Sequence, residues 1–282
     1  MTAKPIGIHT ICYAPGMADA VDPDFLPFDV TADPQPERRE VAHMLSFWRR
    51  GLHREYAVSG LLSPKFSEKT GIAGKVFNDF IAGNPGHDVW FINPYPHYLY
   101  LSYNIWEHGE MWYPGLCERA SRIFAAANVP LNLGQFPRST RNMLLFSNIW
   151  AGTTEFWDRF MAFVSHLARY AETLPAVFDP IPYQDGTSVY FPFIFERMFT
   201  TFLVAHPDIK PRFANFRMAD ILNIAGLTDR LLIREWGPMI DQWDRVGNYS
   251  DDQRAIFRGM QKLSILGMHA NNPEALRALL DL

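Results

Sequence analysis

Residues 88–94 read DVWFINP, and the reading of these seven positions decides the fold. The stretch is short, apolar on both faces, and ends in Asn93-Pro94. Such a run predicts a strand buried on both sides, the kind found in parallel sheets. Just upstream, Ile72, Val76, Phe77, Phe80 and Ile81 recur at helical spacing. Thr70 is positioned to cap that helix, and Asn84-Pro85-Gly86 breaks it. Residues 55–63, EYAVSGLLS, predict a strand that runs into a polar loop, PKFSEKTG, carrying Lys65 and Lys69. Before it, residues 37–53 predict a helix with an inward stripe of Val41, Met44, Leu45, Trp48 and Leu52. The β-branched run IGIHTICY, residues 6–13, predicts a first strand at or near the sheet centre. Strand, loop, helix, strand, helix, strand is the rhythm of an α/β sheet. In such sheets ligands lie beyond the carboxyl ends of the strands.

Residues 14–37 are rich in Pro and Asp and predict a long ordered loop, a length that usually serves function. Asp22-Pro23-Asp24 has the outward form of a metal-binding D-x-D, but it sits in a loop and not at a strand end, so it is set aside. Residues 98–116, YLYLSYNIWEHGEMWYPGL, mix aromatic rings (Tyr103, Trp106, Trp112, Tyr113) with Asn104, Glu107, His108 and Glu110. Aromatic faces stack on sugar or base rings while amides and carboxylates meet hydroxyls, although plain packing gives the same pattern. A helix is predicted over 116–127 and strands over 131–136 and 141–152, the latter with a polar end at Ser147 and Asn148. Thr154 is the expected cap of a helix over 155–172, and Asp185-Gly186 an expected tight turn.

The most apolar helix is predicted over 190–202, YFPFIFERMFTTF, with Pro192 in its first turn and Phe195, Phe199 and Phe202 on one face. Two charges, Glu196 and Arg197, interrupt it. Buried charges are costly unless paired or used. Either the two lock the helix into the core, or Glu196 is a site carboxylate. From residue 215 onward every segment, including NPEALRALLDL at 272–282, has helical spacing.

Composition narrows the function classes. Aromatic residues reach 15% of the 282, enough for a substantial core. A net charge of −4 without a basic run argues against nucleic acid as a partner. Apolar runs end well short of the roughly 18 residues that span a bilayer. The first ten residues lack the apolar segment of a secretion signal, so a cytoplasmic location is expected. Cys12 and Cys117 are too few for a disulfide framework and are expected as free thiols. No Walker loop, G-x-G-x-x-G, G-x-S-x-G or H-E-x-x-H occurs.

Six fragments together carry a resemblance. ERREVAHMLSFWRR (37–50), GLLSPKFSEKTG (60–71), DVWFINP (88–94), YNIWEHGEMWYPGL (103–116), FSNIWAGTTEFWDRF (146–160) and FPFIFERMFTTFL (191–203) come in the order found in bacterial proteins that resemble nucleotide-sugar glycosyltransferases of the GT-A type, often associated with surface polysaccharide assembly. The resemblance covers about residues 6–204. It implies a GT-A-like domain over 1–204, with a mixed, mostly parallel sheet flanked by helices, and a helical region over 205–282 packed on it. It further implies a nucleotide-sugar donor and a hydroxyl-bearing glycan acceptor. Proteins of this type usually hold a divalent metal on a D-x-D at the end of a central strand. The counterpart here ends in Asn93-Pro94, with Asp88 at the strand's start, so no metal cofactor is expected. Lys65, Lys69 or Arg197 would then stabilise the departing diphosphate. The donor is expected against Thr10, Ser63, Lys65, Lys69 and Asn93, and the acceptor against Asn104, Trp106 and Glu107. Glu196 is the expected general base, with Glu110 and Glu107 as competitors. A non-catalytic carbohydrate- or nucleotide-binding protein, or a glycoside hydrolase with two facing carboxylates, would use the same groups. A homo-oligomer is left open.

Overall fold

A computed structural model describes residues 4–33, 35–181 and 188–268. The expected turn at Asp185-Gly186 and the segment 272–282 lie outside these. Six strands form one mixed sheet among the described residues: β1 (Lys4–Cys12), β2 (Leu26–Asp29), β3 (Tyr56–Leu62), β4 (Val89–Phe91), β5 (Trp150–Thr153) and β6 (Pro211–Phe213). Their order is β2-β1-β3-β5-β4-β6. β2, β1 and β3 are parallel, β4 and β6 are parallel, and β5 runs antiparallel between β3 and β4. Five strands therefore share a direction and present their carboxyl ends, with the amino end of β5, at one edge.

The helices that matter for this edge are α1 (Arg39–Arg49), the short α2 (Phe66–Thr70), α3 (Gly74–Ala82), α4 (Tyr98–Leu101), α5 (Ile105–Trp112), α6 (Leu116–Ala126), α7 (Thr154–Ala171), α8 (Tyr190–Glu196) and α9 (Met198–Ala205). Alternating side chains divide the sheet into two cores, as the two-residue strand period requires. Leu61, Val89 and Phe91 face a large core shared with α1 and α5 to α9. Leu62 and Trp90 face a smaller one closed by Phe66 of α2 and by Phe77 and Ile81 of α3. The stretch 88–94 is thus buried on both faces. Both edge strands are short, and each contains a proline, Pro27 and Pro211. A proline cannot donate to a ladder and is tolerated at edges, which is why neither strand shows in the hydrophobic pattern.

Several local expectations are corrected. Residues 131–136 are not a strand; they hold a short 3-10 turn at Leu133–Gln135. Residues 141–152 become a strand only from Trp150, because Ser147 and Asn148 have φ of 66° and 48° and cannot extend. Thr70 does not cap the following helix: its hydroxyl donates to the Phe66 carbonyl. The Gly74 amide, at the start of α3, donates instead to Asp22 Oδ2 at 2.8 Å. Asp22 is therefore a helix cap, and a Cβ on Gly74 would lie 2.5 Å from its carboxylate. The cap of α7 is Thr153, one residue earlier than expected, with its hydroxyl accepting from Phe156 N. Beyond α9 the chain is not purely helical, since β6 joins the sheet. It then forms α10 (Met218–Ile224), α11 (Leu227–Val246) and α12 (Asp251–Met268).

The expected helix over 190–202 is two helices that break at Arg197, where ψ is −8°. Phe199 packs on Phe91 of the sheet at 5.3 Å, and Phe202 on Phe160 of α7 at 5.4 Å. Phe195, before the break, stacks on Phe191 instead. The Arg197 side chain is 1% exposed. It donates from Nε to the Ile105 carbonyl at 3.2 Å and from Nη1 to the Phe193 carbonyl. Glu196 lies 3.7 Å away, and the Tyr113 ring lies under the guanidinium. Gly109 of α5 makes room for this group. A Cβ there would sit 2.2 Å from Nε.

Two buried imidazoles lie around α4 and α5, and one of them, His108, feels the Arg197 charge. His97, His108 and Tyr98 form a ring cluster, with centroids 4.2 Å and 4.5 Å from Tyr98. His97 Nδ1 and both nitrogens of His108 have no hydrogen-bond partner among the described residues. Burial holds His97 neutral and brings its pKa down to about 4. Burial, with help from the Arg197 charge, puts His108 well below its ordinary value.

Two outcomes follow from this packing. An alanine normally stabilises a helix relative to glycine by about 1 kcal/mol. Gly109→Ala should do the reverse and cost about 3 kcal/mol in urea unfolding, because the buried guanidinium loses its carbonyls; a loss under about 1 kcal/mol would mean that α5 and α8 part without strain. The histidine outcome concerns pH. Folded His97 binds its proton near pH 4 and the unfolded chain near 6.5. Its contribution is complete above 6.5 and is lost as pH falls toward 4. At about 1.4 kcal/mol per pH unit the window is worth at most about 3 kcal/mol. His97→Gln should flatten the fall in unfolding free energy between pH 7 and 4.5, and an unchanged slope would show that His97 is not held neutral.

Candidate functional site

The carboxyl ends of β1, β3 and β4 meet the turn that precedes β5, and polar side chains converge there. Ser63 follows β3 directly, and Lys69 lies on the next helix, α2. Lys69 Nζ donates to Ser147 Oγ at 3.3 Å. The Ser147 amide donates to Glu196 Oε1 at 2.8 Å. Tyr95, two residues past Asn93, brings its phenol to the same serine hydroxyl, and burial and the Glu196 charge push the phenol's pKa up. Glu40, in the first turn of α1, reaches in from the other side. It is half-buried and its carboxylate lies beside the Ser63 hydroxyl, with Lys69, Glu196 and Arg39 nearby. Burial raises the Glu40 carboxyl above its ordinary value and Glu196 adds to this, while Lys69, Arg39 and the Ser63 hydroxyl act against it.

The turn that organises the cluster is strained. Asparagine tolerates the left-handed region, but serine visits it at a cost. Holding Ser147 there aims its amide at Glu196 and its hydroxyl at Lys69. The arrangement puts two carboxylates and an ammonium group around one small volume. Burial there favours the protonated form of Glu40, against the pull of the Lys69 ammonium.

A cavity of about 490 Å³ adjoins the cluster at the ends of β1 and β3. It is lined by Thr10, Cys12, Asp22, Phe25, Phe66 and Ser67, among others. That volume falls in the range of small-molecule sites. Thr10 is on its wall, and Lys65 follows Pro64 at its rim with an exposed side chain. The structure therefore joins Lys69 and Glu196 through Ser147, and it places Thr10 on the wall of the cavity, with Ser63 and Lys65 on either side of the lining Pro64.

It does not bring in the remaining candidates. Asn93 turns its chain locally by accepting from the Tyr95 amide, and it lines a separate crevice with Arg141 and Phe213. Asn104 caps α5, accepting from the Trp106 and Glu107 amides at 3.0 and 2.8 Å. Trp106 is wholly buried, and its indole donates to Thr201. Glu107 is held by Arg254 and Arg258 of α12 at 2.8 and 3.1 Å. Each oxygen of Glu110 accepts a backbone amide at 2.7 Å, from Gly115 and Cys117, so it caps α6. Arg197 faces core carbonyls and not the cavity. The acceptor surface expected over 104–110 thus gives way to packing, because α6 and α12 cover α5.

Glu40 is the participant that sequence reasoning missed. A glutamate in the first turn of an amphipathic helix looks like an ordinary partner of the helix dipole. Among the described residues no three metal-ligating side chains converge. No helix among them is long and apolar enough to cross a membrane. Comparison with family models, with curated proteins and with solved structures returns no match.

Proposed function

We propose that this chain is a glycosyltransferase that moves a sugar from a nucleotide-sugar donor to a hydroxyl-bearing acceptor in bacterial glycan synthesis, in the cytoplasm and without a divalent metal. One observation carries the reading: paired carboxylates and a lysine converge at the carboxyl ends of the strands, beside a cavity large enough for a nucleotide. Sugar transfer needs a carboxylate to take the acceptor proton and positive charge to receive the diphosphate. Glu40 and Glu196 supply the first requirement, Lys65 and Lys69 the second. The donor occupies the cavity by Thr10 and the diphosphate lies toward Ser63 and the two lysines. The acceptor approaches from the side of Tyr95 and the carboxylates. The six fragments that resemble GT-A-type proteins, and a sheet in which five strands share a direction, support the same reading.

A second reading has an observation of its own. With Arg197 buried against carbonyls, only the two lysines remain of the cations expected to face a leaving group. A binding protein that holds a nucleotide or glycan without turning it over needs no more than that.

Thermal melting with UDP, GDP, CDP, UDP-glucose and GDP-mannose, each with and without manganese, separates the two. A ligand at a hundred times its Kd adds about 2.7 kcal/mol, which for a chain of this size raises the Tm by roughly 5 °C or more. Transfer predicts such a rise with a nucleotide or nucleotide sugar in the absence of manganese, followed by slow release of nucleoside diphosphate. A rise with no release favours the binding protein. No response to any nucleotide, with a response to free oligosaccharides, would overturn the donor assignment.

A further inference from the structure

Between α1 and α7 lies a groove that the strand-end cluster does not use. The two helices run antiparallel and are tied at both ends. At one end Arg38, which precedes α1, donates to both oxygens of Glu172 at 2.7 Å. At the other the Trp48 indole donates to Asp158 at 2.9 Å. The rise of a helix puts these ties about 15 Å apart along α1. Between them the lining positions are small, Ala42 and Ser46 on α1 and Ala162 and Ser165 on α7, and the helices leave about 1040 Å³ open. That is the upper end of the range for small-molecule sites, and no lining residue is shared with the cavity beside Thr10.

Three guanidinium groups line the groove with no carboxylate partner among the described residues: Arg49, Arg50 and Arg169. Two of them are held by uncharged groups. Arg50 lies over the Phe28 ring at 5.2 Å. Arg169 donates to His166 Nδ1 at 3.2 Å, while His166 Nε2 donates to the Ala127 carbonyl at 2.9 Å. A single exposed arginine is ordinary, but three around one cavity are forks for oxyanions. Acceptors line the groove too. Asp29, at the end of β2, has one oxygen committed to the Thr31 amide and hydroxyl at 2.9 and 2.8 Å, and its other oxygen has no bond among the described residues. Asp33 lies nearby. These acids repel a ligand made of oxyanions alone and accept from one that also carries hydroxyls. Val30, Leu45 and Trp48 supply apolar wall for the faces of sugar rings.

We infer that the groove between α1 and α7 binds an acidic oligosaccharide, a short chain of hydroxyl-bearing rings with carboxylate or phosphate groups, whose oxyanions meet Arg49, Arg50 and Arg169. The hydroxyls meet Asp29 and Asp33. The site stands apart from the transferase reading, since it uses neither the strand-end cluster nor the cavity beside Thr10.

Calorimetric titration of the full chain tests this with four probes: trigalacturonic acid, a phosphorylated maltotriose, plain maltotriose and tripolyphosphate. At least one acidic trisaccharide should bind about tenfold or more tighter than maltotriose, and tighter than tripolyphosphate. The tighter of the two acidic probes tells carboxylate from phosphate. Arg49→Ala combined with Arg169→Ala should weaken that probe by about tenfold or more, and both side chains are exposed, so the Tm should hold. Ser165→Trp fills the groove without changing its charge and should weaken the same probe as much. This variant separates the groove from general attraction to a positive surface. The inference is overturned if neither acidic trisaccharide outdoes maltotriose, if tripolyphosphate binds best, or if Ser165→Trp folds and leaves the Kd unchanged. A parent chain that responds to nucleotides but to no acidic trisaccharide sinks the groove assignment and leaves the transferase reading standing. Binding of the trisaccharide without any nucleotide response does the reverse.

Discussion

The Ser147 amide and the Glu196 carboxylate meet at 2.8 Å across 49 residues of chain, and the strand-end cluster depends on that bond. It ties the last turn of α8 to the turn that precedes β5. Without it the left-handed pair Ser147-Asn148 has no compensation for its strain, and the Ser147 hydroxyl loses the orientation that brings Lys69 and Tyr95 together. β5 is the one strand that runs against the others, so the chain must enter it at the sheet's carboxyl edge. The reversed strand is thus what delivers this turn into the place where ligands of α/β sheets lie.

Charge is distributed around this bond in two layers. The inner layer is the buried Arg197, satisfied by the Ile105 and Phe193 carbonyls and given room by Gly109. The outer layer is Glu40, Lys69 and the open cavity. Glu196 is the link between them, with one oxygen turned to each. A guanidinium cannot surrender its proton at any ordinary pH, so the inner layer holds a constant charge. The neighbouring imidazoles of His97 and His108 are kept neutral by burial, and at His108 the Arg197 charge adds to it.

The α/β character was legible because it rests on burial periodicity. Continuous apolar strands such as 88–94 and amphipathic helices such as 37–53 announce themselves locally. What failed to show were elements set by distant partners. β2 and β6 are edge strands with a proline each, and neither has an alternating pattern to detect. Residues 141–149 are apolar enough for a strand but are bent by two residues with positive φ, a constraint imposed by contacts with α8 and α9. Among the candidate side chains, Glu196 stood out because a charge in an aromatic helix is costly wherever the helix lies. Glu107 and Glu110 looked equivalent to it, since a sequence does not say that Arg254 and Arg258 come from a helix nearly 150 residues away. Glu40 was hidden for the opposite reason, because its local setting explained it too well.

The prolines at the two margins of the sheet have a consequence for association. Four residues at β2 and three at β6 leave an incoming strand few backbone groups to pair with, and each margin has lost one donor. Growth of the sheet by strand addition from a second copy is therefore closed at both ends. Helical surfaces, where side chains and not backbone ladders choose the partner, offer a second copy more than these two margins do.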